Sequence, residues 1–406
     1  AMTYIPLEAV SITGPSTAFG EISTAESHPT CQLDFVYGIP ATLTSNVTSN
    51  SATVANSGGL AVLTTGAQIN SVAQLFTKNY VKYRPGQGSM SRFTAMFTSG
   101  LAGSTQIAGI IGAVDALGFG YNGNSFGVLW RRNGVDTWTP QSSWNTDTML
   151  GGTPSGKVLD PTKLNVFQIK FQYLGGGNIF YYVLNDADGR WVLVHEMKNA
   201  GTLTTPVFRN PTMPIGFEAR NTTNTSAIAV KSASVGQFLE GMRVLLGPMG
   251  SIDSTVASIG LTTQTSIITL RNASSYNGIA NYAICHIRQL SVSANDTGST
   301  KGCVNLRIVR NPSTSFTNFV PFNGTTADSG VTITAGQSAV SSNLSAITVT
   351  GGVPLFTTTI NIGGSTTIDV TSFNISVYPG DIVSLCVYST TSGPTAGASV
   401  TWSEDV

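Results

Sequence analysis

The stretch from residue 164 to residue 197, LNVFQIKFQYLGGGNIFYYVLNDADGRWVLVHEM, decides the fold. Phe167, Ile169, Phe171 and Tyr173 alternate with Gln168, Lys170 and Gln172, the period-two pattern of a strand with one buried face. GGGN turns the chain into IFYYVLN, and DADGR turns it again into WVLVHEM. Three strands joined by tight, glycine-bearing connections predict an antiparallel meander. NPTMPIGFEAR then supplies a proline-punctuated loop and a further strand, and SAIAVKSASVGQFLE closes the unit.

Outward from this meander the chain of 406 residues stays β-patterned, with helical periodicity nearly absent. Short runs such as SIITL, YAICHI, ISVY and IVSLCVY lie between segments rich in Gly, Ser, Thr and Asn, at the turn spacing of sandwiches and barrels. The expected class is all-β. Composition shifts to small polar residues in EGMRVLLGPMGSIDSTVAS, which places a domain boundary there and gives domains 1–242 and 243–406. In the second, VYPGDIVSLCV reads as strand, Pro-Gly-Asp turn and strand, and about eight strands fit one jelly-roll sandwich.

The order of the first domain, with its NDADG hairpin tip and its PIGFEA strand, resembles the concanavalin-like (lectin and laminin-G type) β-sandwich over roughly residues 30 to 240. Sugar-binding members of that family hold calcium through clustered carboxylates and Asn. No such cluster surrounds Asp115 or Asp136, so metal-dependent sugar binding is not carried over and no metal or cofactor is expected. The YRPGQG and RFTAMF segments, the lectin-like sandwich and a Thr/Gly-rich jelly roll ending in WSED together resemble structural proteins of large DNA viruses and phages, such as minor capsid, spike or fibre components. The resemblance implies a virion or extracellular location. It also implies a closed homo-oligomer, a trimer for instance, in contact with other virion proteins and with host-surface glycans.

Charge narrows the partners. Twenty cationic and twenty acidic side chains balance overall. They nearly balance in each domain, at 14 Lys/Arg against 13 Asp/Glu through residue 242 and 6 against 7 beyond. A basic arm for nucleic acid is therefore not expected. Beyond Arg310 there is no Lys or Arg, a composition that suits exposure to trypsin-like proteases outside cells. No stretch reaches the ~18 consecutive apolar residues of a spanning helix, so membrane insertion is not expected, and AMTYIPLEAV lacks the pattern of a secretory signal.

Cys31, Cys285, Cys303 and Cys386 show no C-x-x-C pairing and read as small buried hydrophobes, with a Cys285–Cys303 bridge left open. Glycosylation sequons occur at Asn46, Asn221, Asn224, Asn272, Asn295, Asn323, Asn343 and Asn374.

Catalysis lacks its parts. His195-Glu196 has no second His four positions on, and alternation puts His195 on the face of Trp191 and Leu193 as a packing residue. His286 reads as an ordinary strand residue. The E-x-D-x-x-E strand of concanavalin-like glucanases and the G-x-S-x-G elbow are absent, Glu218 stands alone in GFEAR, and Glu404 and Asp405 fall on opposite faces. Asn185, Asp186 and Asp188 imitate the opening of a calcium loop whose closing Glu is missing, which favours a hairpin turn. No catalytic residue is assigned, and the protein reads as a non-enzyme.

Two surface candidates remain. FGVLWRRNGVDTWTPQSSWN holds three of the five tryptophans and the Arg-Arg pair, so Trp130, Arg131, Arg132, Trp138 and Trp144 form a candidate glycan or partner patch. The competing reading packs Trp130 and Trp138 across the RNGVD turn. NYVKYRPGQGSMSRFTAMF, residues 79–97, concentrates Lys82, Arg84 and Arg92 near Gly86 and Gly88, a minority candidate for an anion site. Its glycine spacing matches neither phosphate motif, so two strands around a Pro-Gly turn is the preferred reading. The leading expectation is a virion structural protein working by assembly. The alternative is a carbohydrate-binding lectin-like protein, and the third reading is a polysaccharide-degrading enzyme with Glu218 as its first carboxylate.

Overall fold

A computed structural model of the protein describes residues 24–405 apart from 82, 243–248, 257, 277, 296–301, 322–339 and 392. The chain forms two compact units, residues 1–243 and 244–406. Among the described residues the named strands of each pair antiparallel and the only helical pieces are two three-residue 3-10 turns, so the all-β class is what the chain adopts.

The first unit packs a nine-stranded sheet against a seven-stranded one, the two-layer layout expected of a concanavalin-like sandwich. The meander forms one flank of the larger sheet: Trp191–Met197 pairs with Ile179–Leu184, which pairs with Asn165–Phe171, which pairs with Ser89–Phe97. Ser234–Glu240 lies on the other side of Ser89–Phe97. In the smaller sheet, Val135–Pro140, Ser125–Arg132, Ala116–Asn122, Ser104–Ile111, Ile215–Asn221, Val72–Thr77 and Thr44–Ser49 follow in that order.

Alternation sorts the faces. Phe93, Phe97, Phe167, Ile169 and Phe171 of the larger sheet meet Leu117, Phe119 and Phe217 of the smaller in one core. Phe119 stands 4.5 Å from Phe167, ring centre to ring centre, and Phe93 stands 5.9 Å from Phe167. Tyr181 crosses the layer to donate its hydroxyl to the Leu129 carbonyl at 2.8 Å, so its burial leaves no polar atom stranded.

Two local readings change and a third holds. In the segment where a strand was expected, Tyr80, Val81, Tyr83 and Arg84 belong to no strand, Tyr80 and Val81 are buried, and the Pro85-Gly86 turn leads straight into Ser89–Phe97. A bulge opposite Tyr181 and Tyr182 pairs Tyr181 with His195 and Tyr182 with Leu193, leaving Val194 as the extra residue. That residue flips the strand's parity, so His195 turns inward beside Tyr181 rather than sharing the face of Trp191 and Leu193. The NDADG tip is a turn closed by its own side chains: Asn185 Oδ1 accepts from Ala187 N–H at 3.1 Å and Asp188 Oδ1 from Arg190 N–H at 3.0 Å. Asp186 pairs with Lys157.

Among the described residues the second unit has eight principal strands: Met249–Val256, Thr265–Asn272, Ile284–Asn295, Cys303–Arg310, Val353–Asn361, Ser365–Asp369, Ile382–Ser389 and Thr395–Asp405. Counted along the chain, one sheet runs 1-8-3-6 and the other contains 2-7-4-5, the strand order of a jelly roll. Trp402, fully buried, packs with Ile287, Leu290, Leu306 and Leu385 between them. All four cysteines are free, and burial pushes the thiols of Cys31 and Cys386 up to about 11. Cys285 sits in the core of one sheet and Cys303 opens a strand of the other beside Thr390, so the Cys285–Cys303 bridge is not formed.

Removing the ring that joins the two layers exposes the energetics. Phe167→Ala should cost about 3–5 kcal/mol. Denaturant unfolding followed by far-UV circular dichroism measures it, and a loss below about 1 kcal/mol would contradict the packing described here.

Candidate functional site

A cleft of about 570 Å³ opens at one end of the first unit, within the size range of small-molecule sites. Two segments build its walls: the turn after Tyr83, with Gly86, Gln87 and Gly88, and the end of the meander's first strand, with Gln172, Tyr173 and Leu174. Glu240, the last residue of its strand, closes one side.

The aromatic wall is fixed. Tyr83 meets Tyr173 edge to face with centroids 4.9 Å apart, and Tyr173 stacks on Phe208 and donates its hydroxyl to the Phe208 carbonyl at 3.0 Å. Burial, with Asp115 and Tyr83 nearby, raises the Tyr173 hydroxyl's pKa, so it stays protonated. Leu174 N–H donates to the Tyr83 hydroxyl at 3.0 Å. Leu174 itself holds a left-handed backbone with φ +42° and is 75% exposed at the rim. A branched residue in that conformation costs free energy, so the surrounding contacts hold this loop in place.

The polar wall offers acceptors. Gln87 donates Nε2–H to the Met242 carbonyl at 3.1 Å, while among the described residues nothing donates to its buried Oε1. Glu240 accepts from Lys170 Nζ at 2.9 Å through Oε1, and its Oε2 faces Gly88 so closely that a Cβ there would collide with it. Tyrosine rings beside the partly exposed Glu240 carboxylate suit a ligand that presents apolar ring faces and hydroxyl donors.

The sequence candidates do not gather into this site. Trp130 lies on the inner side of the seven-stranded sheet and donates Nε1–H to the Val207 carbonyl at 3.3 Å. Trp138 faces outward opposite Leu129, packed with Ile107 and Leu129. Trp144 is 4% exposed, against Phe119 and Phe126. Strand parity sends Trp130 and Trp138 to opposite faces and burial takes Trp144 out, so the expected single tryptophan patch is corrected. Arg131 makes a two-point pair with Asp136 (Nε–Oδ1 2.5 Å, Nη2–Oδ2 3.1 Å), and this pairing, with the charge of Glu218, raises its pKa against the lowering effect of burial. Arg132 lies 5.9 Å over the Trp130 ring.

The anion cradle is also corrected. Lys82 lies outside the described residues, and Arg84 stands in the loop before the turn. Arg92 faces outward from the nine-stranded sheet, bonded to Gln168 at 2.7 Å and flanked by Trp191 and Phe238. Gly88 faces the Glu240 carboxylate, which repels an anion.

Two buried carboxylates elsewhere in the first unit are occupied. Glu218, 2% exposed, is held by Arg220 and by Gln74. Asp115 accepts three backbone N–H groups, from Asn133, Arg209 and Asn210, and so fastens two loops. Tertiary structure also unites Ser376, His286 and Asp405, which lie too far apart in the chain for any spacing signal. His286 Nδ1 is 3.0 Å from Ser376 Oγ and Nε2 is 3.9 Å from Asp405. Ser376 is 3% exposed and its hydroxyl is also bonded to the Asn374 carbonyl at 3.3 Å, so the trio is a buried joint between strands. Among the described residues no group of three or more His, Cys, Asp or Glu could hold a metal ion.

No protein-family model matches the chain, and no curated protein matches it. Among solved structures it is similar to a protein of unknown function from Shewanella oneidensis MR-1, at 14% identity and TM-score 0.37, covering 60% of this chain and 99% of that one. It is similar to peanut lectin at 14% identity and TM-score 0.34, covering 55% and 100%. It is also similar to the Crh5 transglycosylase in complex with NAG, at 12% identity and TM-score 0.36, covering 55% and 89%. At these identities and scores the likenesses carry no argument about ligand or activity.

Two outcomes follow from burial. Asn221, Asn272 and Asn343 are buried with their amide N–H groups donated to backbone carbonyls, whereas Asn46 and Asn374 are exposed. If the chain is passed through a eukaryotic secretory pathway, glycopeptide mass spectrometry should find glycan at Asn46 or Asn374 and none at the three buried sites. Burial also lowers the His195 pKa below its usual 6.5. The unfolded chain therefore takes up this proton first, so the stability contribution is present above about pH 6.5 and is lost as pH falls through the folded value. Urea unfolding at neutral and mildly acidic pH should show a smaller acid loss for His195→Asn than for the wild type.

Proposed function

We propose that the protein is a carbohydrate-binding, lectin-like protein whose first unit takes a neutral sugar in the cleft and acts by binding rather than by turnover. The observation that supports this most directly is the juxtaposition of the Tyr83 and Tyr173 rings with the Glu240 carboxylate along one cleft. A sugar's apolar face covers a ring while its hydroxyl donates to the carboxylate. Anionic sugars are disfavoured by Glu240.

Calorimetric titration with a panel of neutral mono- and oligosaccharides tests the reading. Gln87→Ala and Tyr83→Ala should each weaken binding about tenfold or more, equivalent to about 1.4 kcal/mol, with the melting temperature retained. Unchanged affinity in both variants would remove the cleft as the binding site.

Assembly as a virion component is a separate proposal, supported by the jelly-roll strand order that accompanied the resemblance. Light scattering across a concentration series separates it: a concentration-stable oligomer favours assembly, and a strict monomer counts against it.

A further inference from the structure

We infer that the sugar taken by the cleft is one residue of a linear glycan whose further residues lie across the outer face of the nine-stranded sheet, on Trp191 and Phe238; this rests on the carbohydrate-binding reading above. The two regions are continuous. Glu240 lines the cleft and is paired with Lys170, which projects from the outer face two residues from Gln168 and two from Gln172 of the cleft.

The register lays out that face. One row across the strands carries Phe238, Met90, Lys170, Phe180 and Glu196, and the next carries Gly236, Arg92, Gln168 and Tyr182. Phe180, Tyr182, Trp191 and Phe238 are all half-buried there, on the side of the sheet away from the core, where an antiparallel sandwich ordinarily shows polar groups. Arg92 bonds Gln168 with its guanidinium 5.5 Å from the Trp191 ring centre and 5.7 Å from that of Phe238, so the cation bridges the two rings. Gly236 leaves room for it: a Cβ there would come within 3.0 Å of the Phe238 ring.

The chemistry selects the occupant. Rings alternate with exposed or half-exposed groups that hydrogen-bond, Arg92, Lys170 and Glu196, which matches a chain of sugar rings with apolar faces and hydroxyl rims. A purely apolar protein surface would leave those groups without water or partners. A polyanion would meet Glu196 and Glu240.

Titration of the full chain with cello-, manno- and chito-oligosaccharide ladders, from the monosaccharide upward, tests the inference. Affinity for one ladder should rise at least tenfold with length. Trp191→Ala should abolish the rise while leaving the monosaccharide affinity in place, Trp191→Phe should restore part of it, and Tyr83→Ala should weaken every length. Length-independent affinity, or a rise that survives Trp191→Ala in a variant with the wild-type melting temperature, overturns this inference alone. Absence of binding to all three ladders overturns the cleft reading and this inference with it.

Discussion

The contact of Phe119 with Phe167, one ring from each layer, fixes which side of each sheet is inside. Once those rings are buried together, strand parity leaves no freedom. Phe93, Ile169 and Phe171 must follow Phe167 inward, and Arg92, Gln168 and Lys170 must face out. A sandwich of this kind is held mostly by the apolar area that its inner faces remove from water, at roughly 25 cal/mol per Å², with Tyr181 and its Leu129 partner adding one satisfied polar crossing.

That constraint produces the candidate site at the sheet's end. The strand Asn165–Phe171 leaves the core at Phe171, and Gln172, Tyr173 and Leu174 emerge as the chain turns back through GGGN. Ser234–Glu240, on the far side of Ser89–Phe97, brings Glu240 to the same end. Three strands neighbouring in the sheet but distant in the chain thus supply the aromatic wall, the glycine loop and the carboxylate. The loop positions are rigid because Tyr173 is tied to Phe208 and Leu174 to Tyr83, and a rigid cleft loses little entropy on binding.

The corrected readings share one cause. The tryptophan patch rests on proximity in the chain and the placement of His195 on alternation continued without interruption, and neither takes account of the neighbouring strand. Trp130 and Trp138 are separated by a tight turn whose register, Trp138 opposite Leu129, puts them on different faces. His195 is displaced by a single extra residue at Val194. A bulge or a turn register depends on the neighbouring strand, which period-two counting within one segment does not contain.

Alternation and turn chemistry act within a few residues of each other, so the all-β class, the meander of residues 164–197, the division near residue 243 and the turn at NDADG are legible in the chain alone. The jelly roll was legible as a count of strands. Its order was not, since which strand pairs with which is settled by burial of both sheets together. The cleft was likewise out of reach. Tyr83, Gln87, Tyr173 and Glu240 carry no spacing signal across 158 positions (240 − 82), and only the pairing of Ser89–Phe97 with both Asn165–Phe171 and Ser234–Glu240 brings them to one place.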